Sequence, residues 1–304
     1  MSPAAPPAEP PAAEDRPRVP AVPASSLVLV RPGAGGEISV FTVRRAGTMA
    51  FSAHATAFPG GRVDPADDLP DRLWEGTDLA DWGRRLGLPH EPVDAHGTLT
   101  ELDPAEGAGR VLAAAVRETF EETGVLLARD AVTGTPVDPA RVAAFPDELR
   151  DAVERHEVDF GELLDREGLR PDAGALVPWS RWITPHGGPR RYDTFFFAVH
   201  LPQGQSPERM SSEAASHGWA SPAELLRRFR AGEVNLMAPT WWQLRTLVDA
   251  GEDIHAGRSR FEPLEGVMLV AGQGPVFPHA DEYLRDLTAF RAAAQVEESK
   301  DNIL

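Results

Sequence analysis

Apolar residues fall into short runs separated by proline- and glycine-rich turns. "SSLVLVRP" carries an unbroken apolar run that predicts a buried strand over Ser26–Val30. "GAGG" (Gly33–Gly36) is a turn, and "EISVFTVRRA" (Glu37–Ala46) predicts a second strand, so the two form a hairpin. "ALVPWSRWITP" (Ala175–Pro185) and "RRYDTFFFAVHLP" (Arg190–Pro202) repeat the pattern around "HGGP", and "HGWA" adds a short strand. Between and after these runs the spacing turns helical: helix–break–helix over 139–168, then "SPAELLRRFRAG" with Ser221 as N-cap, then "APTWWQLRTLVDAG". "GVMLVAG" reads as one further strand. Strands arranged in hairpins among helices indicate a mixed α/β (α+β) chain rather than a serial βαβ wrap.

One helical segment stands apart. "AAAVRETFEETGVLLA" (Ala113–Ala128) gathers Arg117, Glu118, Glu121 and Glu122 before Gly124, which can close the helix at positive φ. At about 100° per residue, with Glu118 at 0°, Glu121 falls near 300°, Glu122 near 40° and Arg117 near 260°. Leu112, Ala113, Val116, Thr119, Phe120 and Thr123 occupy the opposite arc. Ala114 and Ala115 leave space beside the carboxylates. "VLLA" continues as a strand or a packed apolar run. The acidic face has two readings. It is a solvated surface, the usual fate of charge, or it holds a cation. The like charges at i,i+4 cost a few tenths of a kcal/mol. An all-oxygen donor set suits Mg²⁺ or Mn²⁺.

The remaining composition narrows the classes. With 304 residues the chain can bury a proper core. It has no cysteine, which excludes disulfides, zinc–thiolate centres and thiol catalysis. A net charge of -17 disfavours nucleic acid and anionic membrane as partners. No apolar run has transmembrane length, no secretory signal is visible, and "DNIL" is not a peroxisomal address, so a cytoplasmic protein is expected. Residues 1–24 are Pro/Ala-rich and read as a disordered tail. A single domain is expected over 25–290, interrupted by an insertion at about 69–109 with Trp74 and Trp82 on a short helix. Residues 291–304 are expected as a flexible tail.

"FPGG" (Phe58–Gly61) precedes the acidic helix, and the helix carries "RETFEETGV". Together they resemble the Nudix box, G-x5-E-x7-R-E-U-x-E-E-x-G-U with U aliphatic. Gly61, Arg117, Glu118, Glu121, Glu122, Gly124 and Val125 match it. Asp67 stands at the first glutamate position, Thr119 at an aliphatic one, and Asp68–Val116 replaces the seven-residue spacer. An interrupted box is similar to the acyl-coenzyme A diphosphatase subgroup. "RRAGTMAFSAHATAFPGGRVDPAD", "WSRWITP", "RRYDTFFFAV" and "LMAPTWWQLRTL" point the same way, from Ser26 to about Ala250.

The resemblance implies a Nudix α/β/α sandwich with a mixed sheet and a helical insertion. It implies hydrolysis of a pyrophosphate with Mg²⁺ or Mn²⁺. Coenzyme A or acyl-CoA would yield 3′,5′-ADP and (acyl-)4′-phosphopantetheine. ADP-ribose or NADH is the alternative substrate class, and an inactive Nudix-fold sensor the alternative role. Glu118, Glu121 and Glu122 are the expected metal ligands, and Arg117 their orienting partner. Gly60 and Gly61 supply close backbone approach, and Glu213 in "SSEAASHGWASPAELL" is the expected general base. Arg44, Arg45, Arg190 and Arg191 are the cations for a substrate phosphate. The tryptophans Trp179, Trp182, Trp241 and Trp242 are read chiefly as core. The partner is a small nucleotide-linked molecule, and a homodimer built on the insertion is compatible with all of this.

Overall fold

The computed structural model describes residues 20–45, 54–88, 102–184, 190–207, 214–251, 253–254, 269–270, 274–275 and 277–301. In chain order the elements are β1 (Ala21–Pro32), β2 (Ile38–Arg45), β3 (Ala55–Ala57), β4 (Gly60–Arg62), α1 (Leu79–Arg85) and α2 (Pro104–Thr123). Next come β5 (Ala128–Asp130), α3 (Pro139–Ala143), α4 (Asp147–Glu154), α5 (Phe160–Arg166), β6 (Leu169–Pro171), β7 (Val177–Ile183) and β8 (Arg191–His200). The chain continues through β9 (Ala214–Ala220), α6 (Pro222–Arg230), β10 (Asn235–Leu236), α7 (Ala238–Ala250), β11 (Leu269–Val270), β12 (Gly274–Pro275) and α8 (Ala280–Asp301).

The main sheet is mixed, in the order β10-β3-β2-β1-β8-β7, with β4 added to β1 and β9 to β2. β1 pairs β2 antiparallel, closing the expected hairpin, and runs parallel to β8 from Ala21↔Arg191 to Val30↔His200. Both faces of the sheet are covered, which is why its strands read as continuous apolar runs. Leu27, Leu29, Phe41, Phe195 and Phe197 join a core with α1, α2 and α5. Their alternating neighbours Val28, Val30, Val40, Phe196 and Ala198 join a second core with α6, α7, Phe277 and Tyr283. Helices on both sides of a mixed sheet make the α/β/α sandwich. Trp182, Trp241 and Trp242 are buried in the second core, and Trp179 packs against it.

Several boundaries move. The proposed disordered tail ends too late, because Ala21–Ala24 already belong to β1 and pair with Arg191–Thr194. The C-terminal tail is helical through Asp301. Phe290 stacks on Phe229, and Gly232 approaches Ala293 so closely that a Cβ there would lie 2.9 Å from it. The insertion is shorter than expected at its C-terminal end, since Pro104–Gly109 form the first turns of α2. Asp103 accepts from Ala105 N at 2.9 Å and Pro104 follows the cap. Its described part is core rather than appendage: Leu69, Leu73, Trp74, Trp82, Leu86 and Leu88 are buried. The helix–break–helix segment is three short helices, α3 to α5. Val125–Leu127 are a buried apolar run outside any strand.

Candidate functional site

Helix α2 lies between the sheet and the helices α1 and α4. Ala113–Arg117, Thr119, Phe120, Glu121 and Thr123 are all buried, whereas Glu118 and Glu122 are partly exposed. The carboxylate arc is therefore not a solvated face. Thr119, which replaces the usual aliphatic residue, is fully buried and satisfies its hydroxyl by donating to Ala115 O at 2.7 Å. Gly124, at φ 76°, ends the helix, and its N–H donates to Phe120 O.

The glycine turn reaches α2 through β1. Ser25↔Gly61 and Ser26↔Gly60 pair β4 with β1, Leu27 N donates to Pro59 O, and Ser26 Oγ donates to the same carbonyl at 3.1 Å. Ser25 Oγ donates to Val111 O at 2.7 Å, joining the strand to the helix. Gly60 is required by the backbone beside it, and Gly61 leaves room for the Glu118 carboxylate. A Cβ on Gly60 (φ 149°) would lie 2.3 Å from Ser25 O, and one on Gly61 would lie 2.3 Å from the Glu118 carboxylate. Gly60 N donates to Glu122 Oε2 at 3.1 Å.

Arg117 ties these parts together. Its Nε and Nη2 donate to Asp67 Oδ1 and Oδ2 at 2.8 and 3.0 Å. Nη2 also donates to Arg62 O at 3.0 Å. Nη1 donates to Glu118 Oε1 at 3.0 Å and to both oxygens of Glu121 at 3.1 Å. Asp67 accepts in addition from Asp64 N at 2.7 Å. The residue at the first-glutamate position of the box thus meets its arginine across the insertion.

Three buried or largely buried carboxylates around one guanidinium carry an electrostatic cost. Burial pushes the Glu118 carboxyl up to about 7, with Arg117 only partly opposing it. Burial likewise raises Asp67 and Glu121 above their ordinary values. Burial works against the charge of Arg117, but hydrogen bonds and attraction from its carboxylates outweigh this and raise its pKa. Among the described residues, no three His, Cys, Asp or Glu side chains converge as a finished metal cage. The donor set still fits a hard divalent cation. Glu118 and Glu122 offer oxygens where side-chain-free backbone comes close, and Glu118 is held at a charge cost that a cation would relieve.

A family description of the NUDT19 Nudix domain matches residues 21–247. The chain belongs to the NUDT19 Nudix domain family. It is 33% identical over 243 residues to acyl-coenzyme A diphosphatase NUDT19 of Gallus gallus, which covers 70% of this chain and 62% of that one. With the Homo sapiens protein of the same name the identity is 29% over 305 residues, covering 90% and 80%. The chain therefore spans under two thirds of the chicken protein's length. Among solved structures, a Nudix hydrolase from Alicyclobacillus acidocaldarius aligns with a TM-score of 0.56 and 30% identity, covering 79% of this chain and 96% of that one. The family match ends within α7, so α8, which packs on α6 and α7, lies beyond it.

The other expected site residues are dispersed. Arg44 is exposed on β2, opposite Thr56 of β3 and Ser216 of β9. Arg45 pairs through its backbone with Ala214, the first residue of β9. Glu213 lies outside the described residues. Arg190 is exposed, whereas Arg191, expected as a phosphate-binding cation, is buried on β8. It is 1% exposed, and its Nε donates to Thr184 O at 2.9 Å, so it serves the β7–β8 pair from inside. Sequence reasoning missed Ser25, Arg62 and Asp64 as members of the site. Ser25 and Ser26 did leave a signal, as two hydroxyls opening an otherwise apolar strand. Among the described residues, no helix is long and apolar enough to cross a membrane.

Proposed function

We propose that this Nudix-family chain is a metal-dependent hydrolase that cleaves the pyrophosphate of coenzyme A or acyl-CoA to 3′,5′-ADP and (acyl-)4′-phosphopantetheine. The observation that carries the reading is the reassembled box. Gly60 and Gly61 lie against Glu122 and Glu118, and Arg117 grips Asp67 across the interruption. The coenzyme A preference is supported by the similarity to the acyl-coenzyme A diphosphatases of chicken and human.

Mg²⁺ or Mn²⁺, when bound, supplies charge neutralisation at the phosphates and acidifies water. Glu118 and Glu122 would hold it. Glu121, expected as a third donor, has both oxygens on Arg117 and fixes that guanidinium. Arg117 in turn sets the rotamer of Glu118 and anchors the carbonyl of Arg62. The bare backbone at Gly60–Gly61 leaves room for phosphate oxygens near the carboxylates. Glu213, just before β9, accepts the proton of the attacking water, and Arg44 and Arg45 at the adjoining end of β2 attract the substrate's phosphates.

The test is kinetic. Glu118→Gln and Glu122→Gln should each lower kcat about a hundredfold or more with the thermal transition preserved, because each removes a charged oxygen donor. Glu213→Gln should lower kcat far more than it raises KM. Near-normal turnover of the two helix variants would refute the metal site, and equal losses in kcat and affinity for Glu213→Gln would remove it as the base.

A further inference from the structure

Where the chain leaves the glycine turn for the insertion, two consecutive aspartates are each held by a different arginine of α2. Asp67 is held by Arg117. Asp68 accepts from Arg110 Nη2 at 3.2 Å, and the same nitrogen donates to Glu106 at 2.9 Å. Arg110 and Arg117 are seven residues apart, about two turns, so they lie on one stripe of the helix. Arg110 is mostly enclosed, with 16% of its side chain exposed, whereas Asp68 is half exposed. Arg110 Nε is buried and has no hydrogen-bond partner among the described residues. An enclosed guanidinium with an unmade donor is a costly way to pair with Glu106 alone. A lysine would meet that need more cheaply.

We propose that Arg110 is a positioning residue. By gripping Asp68 it fixes the root of the insertion, and so keeps Gly60–Arg62 seated against Glu118 and Glu122. The path is short and continuous. Asp68 N donates to Pro65 O, Asp67 N to Asp64 O, and Asp64 N to the Asp67 carboxylate, so the segment from Asp64 to Asp68 is one hydrogen-bonded turn. That turn follows directly on β4, whose Arg62 carbonyl is held by Arg117. In an uninterrupted box a seven-residue spacer would lead straight into the helix. Here Asp68–Val116 intervenes, and Arg110 supplies a second tether that the short spacer would make unnecessary. The role rests on the metal-site reading proposed above for its consequence, but the tether itself is a property of the metal-free chain.

The experiment compares Arg110→Ala, Asp68→Asn and Arg110→Lys in the full chain. Arg84→Ala, an exposed pair with Asp81 within the insertion, serves as the control. Amide hydrogen exchange is followed without metal or substrate. The Mg²⁺ concentration for half-maximal rate and the KM for coenzyme A are then measured. Arg110→Ala and Asp68→Asn should each speed exchange across residues 60–68 while leaving β1 and β8 protected. Each should raise the Mg²⁺ requirement roughly threefold to tenfold with a much smaller change in KM. Arg110→Lys should recover part of both effects, and Arg84→Ala should move neither.

Unchanged exchange over 60–68, or faster exchange throughout the sheet, would overturn the proposal. So would an effect of Arg110→Ala that Asp68→Asn does not share, which would assign Arg110 to Glu106 alone. An unchanged Mg²⁺ requirement beside locally faster exchange would overturn the positioning role. If the wild-type chain hydrolyses no nucleotide substrate, the functional reading fails while the exchange data still decide the tether.

Discussion

All three nitrogens of the Arg117 guanidinium are engaged, with Asp67, Glu118, Glu121 and the Arg62 carbonyl. Replacing it with alanine leaves those carboxylates buried without their cation, a change worth roughly 3–5 kcal/mol of stability. Denaturant unfolding of Arg117→Ala should show that loss. Arg117→Lys should recover little of it, because a point charge cannot reproduce the two-pronged grip on Asp67. Glu118 adds a pH dependence. Its folded-state pKa is raised from 4.5 to about 7, so folding favours the protonated form. The contribution is fully present below about pH 4.5 and is lost as pH rises through about 7. Asp67 and Glu121, raised in the same direction by burial, reinforce it. Metal-free protein should therefore melt at a lower temperature at pH 8 than at pH 6. Added Mg²⁺ should stabilise it more at pH 8, where no proton must be displaced. A melting temperature indifferent to pH and Mg²⁺ would contradict the burial of Glu118. At this scale the helix carboxylates and Arg117 were legible as a face with a stated arc. Asp67, the arginine's strongest partner, was reached only through the resemblance, because 50 positions separate the two and no periodicity links them.

The elements show where local signals and packing part company. "PAEGAG" reads as loop, since glycine is among the poorest helix formers. It nevertheless opens α2, because the insertion presses against it: Gly109 faces Trp74 and Leu79, and Gly83 of α1 faces the Pro104 carbonyl. A Cβ on Gly83 would come within 2.7 Å of that carbonyl oxygen. Gly83→Ala should thus force α1 and α2 apart and cost about 1–3 kcal/mol, despite alanine's better helix propensity. A gain in melting temperature would refute the close contact. The C-terminal helix teaches the converse. Residues 291–304 were expected as a tail, yet α8 runs on through Asp301 with Ala293 close to Gly232, and its earlier part holds to α6 and α7 by Phe290 on Phe229, Tyr283 near Trp241, and ion pairs of Asp286 with Arg230 and Glu282 with Arg245. Truncation after residue 276 should expose Phe229 and Trp241, lower the melting temperature and raise binding of a hydrophobic dye. These partners lie 37 to 61 positions away, beyond the reach of local pattern.

At the scale of the molecule, hairpins among helices made a mixed α/β chain legible, and the α/β/α sandwich was implied by the resemblance that the glycine turn and acidic helix carry. The long parallel pairing of β1 with β8 was not legible, since parallel strands leave no turn signature between them. The pairing of β1 with β4 places Ser25 and Ser26 beside the glycine turn, and Ser25 ties β1 to α2, so the site depends on β1, which β8 holds along its other edge. The insertion, read from sequence as an extra segment of open purpose, is in its described part a layer of the α1–α2 core. The central claim is that this assembly cleaves a pyrophosphate in coenzyme A. The most direct measurement is a product analysis by mass spectrometry after incubation with Mg²⁺ and, separately, coenzyme A, a medium-chain acyl-CoA, ADP-ribose, NADH and a diadenosine polyphosphate. Release of 3′,5′-ADP with the matching 4′-phosphopantetheine from the coenzyme A species is the predicted result. AMP from the other nucleotides alone, or no product from folded protein with either Mg²⁺ or Mn²⁺, would contradict it.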